Sequence, residues 1–211
     1  KKIMTENNGD SIHATIIAAK VHDCKNIIGT SLSTLEHLLS KYPNEPKIQN
    51  LGRGIHLLNQ YITDVLYHHR IQTDEMYLNY TSNYISDTIE EQINNSCCIK
   101  GGENLQFITD CPQDLEWEYD ELLIGIVLRN LYINAVEFAV NEINTRVYLE
   151  NKSLIIEIAD DGPGLTDHTK TIGSGLHLCR ELLKVHNKGE KQTLFVSNKL
   201  NSIGAQIKLI L

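Results

Sequence analysis

Apolar residues recur at helical spacing through the first third of the chain. In residues 46–68 they are separated alternately by three and four positions, as in a coiled-coil seam: Ile48, Leu51, Ile55, Leu58, Ile62 and Val65. A less regular seam precedes it and consists of Val21, Cys24, Ile28, Leu32, Leu35 and Leu39. The polar segment SKYPNEP between the seams contains two prolines, which predicts that one helix ends there and another begins. Residues 10–72 are therefore predicted to form an antiparallel helical hairpin.

The presence of two seams on one hairpin predicts a partner. A single hairpin cannot bury both, whereas two hairpins packed together make a four-helix bundle. We therefore expect a homodimer. Gly52 and Gly54 interrupt the second helix, and a glycine in a helix interior costs roughly 1 kcal/mol, so we expect packing to offset that cost.

Residues 76–211 alternate between strand-like and helix-like patterns. The predicted strands are MYLNY, NLQFITD, LEWEY, TRVYLE, SLIIEIAD, TLFVSN and AQIKLIL. The predicted helices are SDTIEEQINN, an apolar segment at 120–140 and a segment near 175–187. This order predicts a mostly antiparallel sheet with helices on one face. The predicted fold class is α+β, with a boundary near residue 75.

Composition narrows the classes of function. The chain has 211 residues, of which 41% are hydrophobic and 22% charged, as in ordinary soluble domains. No run approaches the roughly 18 apolar residues that cross a bilayer, and residues 1–12 lack the apolar core of a secretory signal. The formal net charge of -8 disfavours a nucleic-acid or anionic-membrane surface. The odd number of cysteines and the lack of C-x-x-C spacing predict reduced thiols in the cytoplasm.

Three segments of the second part combine polar groups with glycines or a helix. In LRNLYINAVEFA, Asn130 and Asn134 are four residues apart and share a helix face, where amide oxygens can ligate Mg²⁺. In EIADDGPGL, an acid at a strand end can accept a hydrogen bond from an amine such as that of adenine, and glycines let a flat ring approach. In TIGSGLHLC, a glycine-rich start of a helix can hold phosphate oxygens. Taken singly, an exposed asparagine pair, a plain turn and a loop explain these segments equally well.

Together and in this order, the segments resemble the N, G1 and G2 boxes of the GHKL superfamily of ATPases, in the form found in histidine kinases. The resemblance implies a Bergerat-type α/β sandwich that binds ATP and Mg²⁺. Asn134 would hold the metal with Asn130 beside it, and Asp160 would bind adenine. The other residues implied to contact the nucleotide are Glu137, Gly162, Gly164, Gly173, Ser174, Gly175 and Leu176.

The segment AAKVHDCKNIIG lies in the first predicted helix. By itself it is a solvated polar face. Beside the nucleotide boxes it resembles the phosphoacceptor box of sensor histidine kinases. The resemblance implies that His22 attacks the γ-phosphate of ATP, since a neutral imidazole is a good nucleophile near pH 7. It further implies that Asp23 accepts the proton from the other ring nitrogen and that Asn26 places water during dephosphorylation of a partner.

The resemblance covers residues 12–211 and implies an enzyme, a protein histidine kinase of a two-component system. Residues 1–75 would be the dimerisation and phosphotransfer domain, and residues 76–211 the catalytic ATP-binding domain. The phosphoryl group would pass from His22 to an aspartate of a response-regulator receiver domain, and a phosphatase activity toward that regulator stays open. We expect a cytoplasmic segment with no nucleic-acid partner and no direct membrane contact. The sequence leaves open whether a longer protein is anchored in the inner membrane.

Four features depart from the usual pattern of this family. Ile27 replaces a common proline, Glu137 a common lysine and His177 a common glycine, and the segment LTDHTKTI between the G1 and G2 boxes has eight residues. None removes a group that the chemistry requires. Two alternatives stay open: a catalytically weak phosphotransfer or scaffold protein, which the short segment favours, and another GHKL ATPase or serine kinase.

Overall fold

The structure is a computed structural model that describes residues 7–42, 45–73, 76–97, 102–165, 174–189, 193–199 and 203–211. Within these ranges, side chains are described except those of residues 7–18, His22, Arg53, Glu103 and Ser174. The chain folds into two units, Lys1–Met76 and Tyr77–Leu211. The division of function between residues 1–75 and 76–211 stays a prediction.

The first unit contains the predicted helical hairpin. Helix α1 spans Asn7–Lys41 and helix α2 spans Pro46–Gln72. Three apolar side chains of α1 are buried at intervals of seven residues: Val21, Ile28 and Leu35. A β-carbon on Gly52 of α2 would lie 3.1 Å from Leu35 Cδ2. The glycine therefore lets the two helices approach closely, which offsets its cost in a helix interior.

The regular seam of α2 is covered only in part by α1. Leu51, Leu58 and Val65 are 53%, 50% and 53% exposed. The buried residues of α2 are Gly52, Gln60, Thr63, Tyr67 and His69. The described part of the chain thus leaves an apolar stripe of α2 in contact with solvent.

The described residues of the second unit form seven strands and three helices. In chain order they are β1 (Tyr80–Tyr84), α3 (Ile85–Cys97), β2 (Gln106–Asp110), β3 (Glu116–Asp120), α4 (Glu121–Phe138), β4 (Glu142–Glu150), β5 (Ser153–Asp160), α5 (Ser174–His186), β6 (Leu194–Asn198) and β7 (Ala205–Ile210). A 3-10 turn at Gly102–Asn104 precedes β2.

Five strands make one sheet in the order β2-β4-β5-β7-β6. The pair β2–β4 is parallel, and the pairs β4–β5, β5–β7 and β6–β7 are antiparallel. Helix α4 packs against β5, and α3 and α5 pack against α4. The predicted sandwich with a mostly antiparallel sheet is confirmed.

Strands β1 and β3 form a separate two-stranded antiparallel sheet. The prediction of a strand at MYLNY, residues 76–80, is wrong, because the strand begins at Tyr80 and ends at Tyr84. Its position is set by its partner: Tyr80 opposes Asp120 and Tyr84 opposes Glu116. The polar segment TSNY has too little apolar alternation for its own pattern to indicate a strand.

Helix α4 lies at the centre of the core. The Asp120 carboxylate caps its start by accepting a hydrogen bond from the Leu123 amide at 2.9 Å. The side chains of Ile124, Val127, Leu128 and Leu131 are fully buried. Because α4 is held on several sides, polar residues near its end are presented from a rigid support.

Two buried tyrosine–threonine pairs join neighbouring elements. The hydroxyls of Tyr132 and Thr145 lie 2.7 Å apart and join α4 to β4. Those of Tyr119 and Thr88 also lie 2.7 Å apart and join β3 to α3. Burial raises the pKa of Tyr119 to about 12 and raises the pKa of Tyr132 as well. Both tyrosines are therefore neutral hydrogen-bonding groups at neutral pH.

No helix in the described ranges combines the length and the apolar character needed to span a membrane.

Candidate functional site

A cavity of about 230 Å³ lies between the end of α4, the loop after β5, the start of α5 and the strands β6 and β7. Five residues singled out from the sequence line it: Asn134, Glu137, Asp160, Gly164 and Leu176. Apolar residues from the strands and helices supply the remaining wall. Whole small-molecule pockets usually measure roughly 300–1,000 Å³, so this cavity has the size for part of a ligand, such as a flat base.

Asp160 is the acid of this cavity, and it is 7% exposed at the end of β5. Its Oδ1 accepts hydrogen bonds from the amides of Gly162 at 2.9 Å and Ala205 at 3.3 Å. Within the described residues, its Oδ2 has no donor. The two backbone bonds therefore fix the carboxylate and leave Oδ2 as the oxygen that can accept from a ligand.

The glycines of the G1 segment are required by close contacts around this acid. A β-carbon on Gly162 would lie 2.1 Å from the carbonyl oxygen of Phe138. Gly164 has a φ of +78°, and a β-carbon there would lie 2.8 Å from Asn198 Oδ1. At Gly162 any side chain would force the backbone to move, and at Gly164, whose left-handed backbone conformation favours glycine, it would displace the Asn198 side chain.

Asn130 lies on α4 one turn before Asn134 and is buried, at 5% exposed. Its Nδ2 donates to the Ile126 carbonyl at 3.0 Å, which leaves Oδ1 beside α5. A β-carbon on Gly175 would lie 3.0 Å from that oxygen. The N and G2 segments therefore meet at Asn130 and Gly175, whereas Asn134, one turn further along α4, lines the cavity itself.

Two predicted phosphate-facing groups cannot be placed. Gly173 and the side chain of Ser174 lie outside the described residues, although α5 begins at Ser174 as the helical pattern predicts. Glu137 is exposed at the cavity, on the same face of α4 as Asn134. Within the described residues, the cavity thus contains the predicted site residues Asn134, Glu137, Asp160, Gly164 and Leu176.

The phosphoacceptor-box residues lie in the first unit, on α1 as predicted. Val21 is buried, and Asp23 and Asn26 are exposed. The backbone of His22 lies between Val21 and Asp23, and its side chain is outside the described part. The expected position of His22 at the edge of a bundle stays a prediction.

Asp161 is a residue whose role the sequence reasoning missed. Its carboxylate accepts hydrogen bonds from the amides of Val140, Asn141 and Glu142 at 2.8 to 3.2 Å. Desolvation by itself would raise the pKa of Asp161, but these bonds hold it well below its usual range. Asp161 therefore fixes the turn between α4 and β4 beside Asp160. The only signal in the sequence is the paired acid of DDGPG.

His186 was also missed, and the structure gives it a structural role. The Asp120 amide donates to its Nε2 at 3.3 Å, and its Nδ1 lies 2.7 Å from Asn187 Oδ1. Because a backbone amide can only donate, the ring proton is on Nδ1 and is given to Asn187. Asp120 Oδ2 in turn accepts from the Asn79 amide at 2.7 Å. This network joins the starts of β1 and α4 to the end of α5.

The described residues contain no cluster of three or more His, Cys, Asp or Glu side chains that could hold a metal ion by itself. A cation at this cavity would therefore need ligands from a bound molecule or from water in addition to an amide such as that of Asn134.

The second unit has a five-stranded mixed sheet with α4 and α5 on it and a cavity between the N, G1 and G2 segments, which is the fold of a GHKL-type α/β sandwich. A helical hairpin precedes it in the chain. No family model matches the chain. In sequence, the chain is 24% identical over 202 residues to the adaptive-response sensory kinase SasA of Microcystis aeruginosa, covering 81% of this chain and 53% of that protein. The chain thus spans about half the length of this curated relative.

Solved histidine kinases share the fold. The match to AdeS of Acinetobacter baumannii has a TM-score of 0.60 at 13% identity and covers 87% of this chain and 94% of that one. The match to full-length ShkA in complex with AMPPNP has a TM-score of 0.62 at 16% identity and covers 93% of this chain and 45% of that one. The mycobacterial kinase MprB matches with a TM-score of 0.52 at 16% identity, over 63% of this chain and 97% of that one. The resemblance to sensor histidine kinases stated from the motifs is confirmed in sequence and in fold.

Proposed function

We propose that this chain is the dimerisation and catalytic part of a sensor histidine kinase that binds ATP at the cavity and phosphorylates His22. The observation that carries the proposal is the cavity itself. Residues from three separate sequence boxes line one space, and Asp160 at its wall has one carboxylate oxygen to which no described residue donates.

The cavity suits an adenine base. Asp160 Oδ2 would accept a hydrogen bond from the exocyclic amine, while Oδ1 stays bonded to two backbone amides. Gly162 and Gly164 let the loop after β5 pack closely against the Phe138 carbonyl and against Asn198, which would shape the wall that the ring contacts. Apolar side chains such as Val196 and Ile207 would cover the ring faces.

Asn134 would hold Mg²⁺ beside the phosphates. The buried Asn130 would keep α4 in contact with the start of α5. The fit rests on the donor chemistry: amide oxygens suit a hard cation, and Mg²⁺ usually takes only one or two protein ligands and keeps water and phosphate oxygens for the rest. When bound, the cation neutralises charge on the triphosphate. Glu137 adds negative charge at the same wall, so it would face the cation rather than the phosphates.

In the transfer step, a ring nitrogen of His22 would attack the γ-phosphorus. The N–P bond forms as the P–O bond to ADP breaks, and Asp23 accepts the proton from the other ring nitrogen. The exposure of Asp23 on α1 is compatible with this role. The phosphoryl group would then pass to an aspartate of a receiver domain. In a separate phosphatase reaction, Asn26, four residues after His22, would place the water that hydrolyses this phosphoaspartate to aspartate and inorganic phosphate.

A second copy of the chain would cover the apolar stripe on α2. Leu51, Leu58 and Val65 are each at least half exposed, and they repeat at seven-residue intervals along one side of the helix. Two hairpins that bury these stripes against each other would form the proposed four-helix bundle.

The test is incubation with γ-labelled ATP and Mg²⁺, comparing the wild type with His22→Gln. His37→Gln is the matched control, because His37 is an exposed histidine on the same helix. We expect an acid-labile, base-stable label in the wild type and control and none in His22→Gln. Label that persists in His22→Gln contradicts the phosphoacceptor assignment. Calorimetric titration with ADP tests the nucleotide site separately, and Asp160→Asn should weaken binding strongly.

A further inference from the structure

Asn198, the last residue of β6, makes a two-point contact with the backbone of Leu165. Its Oδ1 accepts from the Leu165 amide at 2.6 Å, and its Nδ2 donates to the Leu165 carbonyl at 3.4 Å. An amide side chain thus pairs with a peptide group as a neighbouring strand would, across 33 positions of sequence. The chemistry fixes the orientation of the side chain, because the Leu165 amide can only donate and its carbonyl can only accept.

The contact leaves room for nothing larger than glycine beside it. A β-carbon on Gly164 would lie 2.8 Å from Asn198 Oδ1, and Gly164 has a φ of +78°. The glycine of the G1 box is therefore fitted to this asparagine as well as to the cavity. Both Gly164 and Leu165 line the cavity.

Asn198 joins two walls of the cavity. One wall is the loop after β5, which contributes Gly164 and Leu165, and the other is the β6–β7 pair, which contributes Val196 and Ala205. The walls are also joined deeper in the fold, where the Ala205 amide donates to Asp160 Oδ1. Asp160 is buried, whereas Asn198 is exposed and makes the outer of the two connections.

We propose that Asn198 is a positioning residue for nucleotide binding: it holds the Gly164–Leu165 wall in the place that the base requires. The inference rests on the proposed function, because it concerns the same cavity. Asn198 acts through Leu165, so its effect is on the affinity for the base rather than on the reaction.

Because Asn198 is exposed, removal of its side chain should change ligand affinity more than the stability of the fold. Without this side chain, water can bond to the amide and carbonyl of Leu165, so the folded chain loses little stability. The wall would then occupy other positions for part of the time, and a ligand binds only the fraction in which it is in place. Loss of the two hydrogen bonds that hold the wall in place corresponds to about a tenfold loss of affinity.

The test compares Asn198→Ala with Ser197→Ala, the preceding exposed residue of the same strand, whose side chain points to the other face of the sheet. ADP affinity is measured by calorimetry with and without Mg²⁺, and the unfolding temperature is measured without nucleotide. We expect Asn198→Ala to weaken ADP binding about tenfold, and by the same factor with and without Mg²⁺. Its unfolding temperature should equal that of Ser197→Ala. The second measurement is the rate of hydrogen exchange at backbone amides in Asn198→Ala. The Leu165 amide should exchange faster than in the wild type, while the exchange rates of the Gly162 and Ala205 amides stay unchanged.

Affinity within about twofold of the wild type overturns the inference while leaving the nucleotide site intact. A fall in unfolding temperature that accompanies the loss of affinity also overturns it, because Asn198 would then be a general structural residue. If the wild-type chain binds no ADP, the proposed function fails and this inference fails with it.

Discussion

Asn130 Oδ1 and the backbone of Gly175 are in such close contact that a β-carbon on the glycine would lie 3.0 Å from the oxygen. The side chain of Asn130 cannot easily turn away, because its Nδ2 donates to the Ile126 carbonyl at 3.0 Å. Next to the cavity, the distance between α4 and α5 is therefore set by the contact of the buried Asn130 amide with Gly175.

Gly175→Ala should weaken nucleotide binding without weakening the fold. The added methyl group pushes on Asn130 and displaces the start of α5 by a few tenths of an ångström. We expect ADP affinity to fall about tenfold, while the unfolding temperature of the free chain does not fall, since alanine favours a helix by about 0.5–1 kcal/mol over glycine. Gly125→Ala on α4 is the control, because its β-carbon would make an ordinary 3.5 Å contact with Gln92. Equal ADP affinities in the two variants would contradict the prediction.

The two glycines of α2 should respond differently to alanine. Gly54 has no atom within 4 Å of the position of a β-carbon, whereas Gly52 faces Leu35 Cδ2 at 3.1 Å. Gly54→Ala should raise the free energy of unfolding by up to about 1 kcal/mol. Gly52→Ala should gain less or lose, because Leu35 must move. Thermal unfolding followed by circular dichroism compares them, and an equal gain in both variants would show that Gly52 isn't needed for close helix packing.

Asp161→Asn should destabilise the chain in a pH-dependent way. The pKa of Asp161 is lowered in the folded state, so its contribution to stability is fully present above the ordinary value of about 3.9. That contribution is lost as the pH falls through the lower folded value. At pH 7 we expect a loss of about 1–2 kcal/mol, as for other charged caps. Urea unfolding at pH 7 and near pH 3 should show the difference from wild type shrinking at acid pH. Asp114→Asn, at an exposed turn, is the control for removal of a surface carboxylate, and we expect no loss of stability from it at pH 7.

The buried pair of Tyr132 and Thr145 should show strong coupling. Tyr132→Phe leaves a buried threonine hydroxyl without its partner, and Thr145→Val does the same to the tyrosine. Each single change should cost about 1–3 kcal/mol, and the double change should cost less than the sum by about 1 kcal/mol. A double-mutant cycle by urea unfolding measures this coupling. Additive costs would mean that the 2.7 Å bond contributes nothing.

Elements with strong local periodicity were predictable from the sequence. Helices α1, α2 and α4 and the alternating strand β5 are where the patterns place them, because each pattern depends only on residues of its own element. Strand β1 differs, because its pairing with β3 depends on residues more than thirty positions away. The pattern of α2 also does not say which of its apolar sides faces α1, and that is decided by the fit of Leu35 against Gly52.

The candidate site was predictable where a motif contains the chemistry. Asn134, Asp160, Gly164 and Leu176 line one cavity because their boxes lie on α4, at the end of β5 and on α5, which pack against one another. The contacts that support these residues weren't predictable. Asp161 bonds to amides about twenty positions away, and Asn198 bonds to Leu165 across 33 positions. Such contacts leave no periodic trace in a single sequence.

The position of β7 in the sheet has a consequence for synthesis. Although it follows β6 in the chain, it lies between β5 and β6, and it supplies Ala205 and Ile207 to the cavity. A nascent chain that has emerged as far as residue 199 has Asp160 and the Gly162 amide, but it lacks the Ala205 amide that also bonds to Asp160 and the strand that covers the edge of β5. Pairing between such distant segments is slow to form. The complete cavity therefore forms only after β7 has been synthesised and has paired with β5.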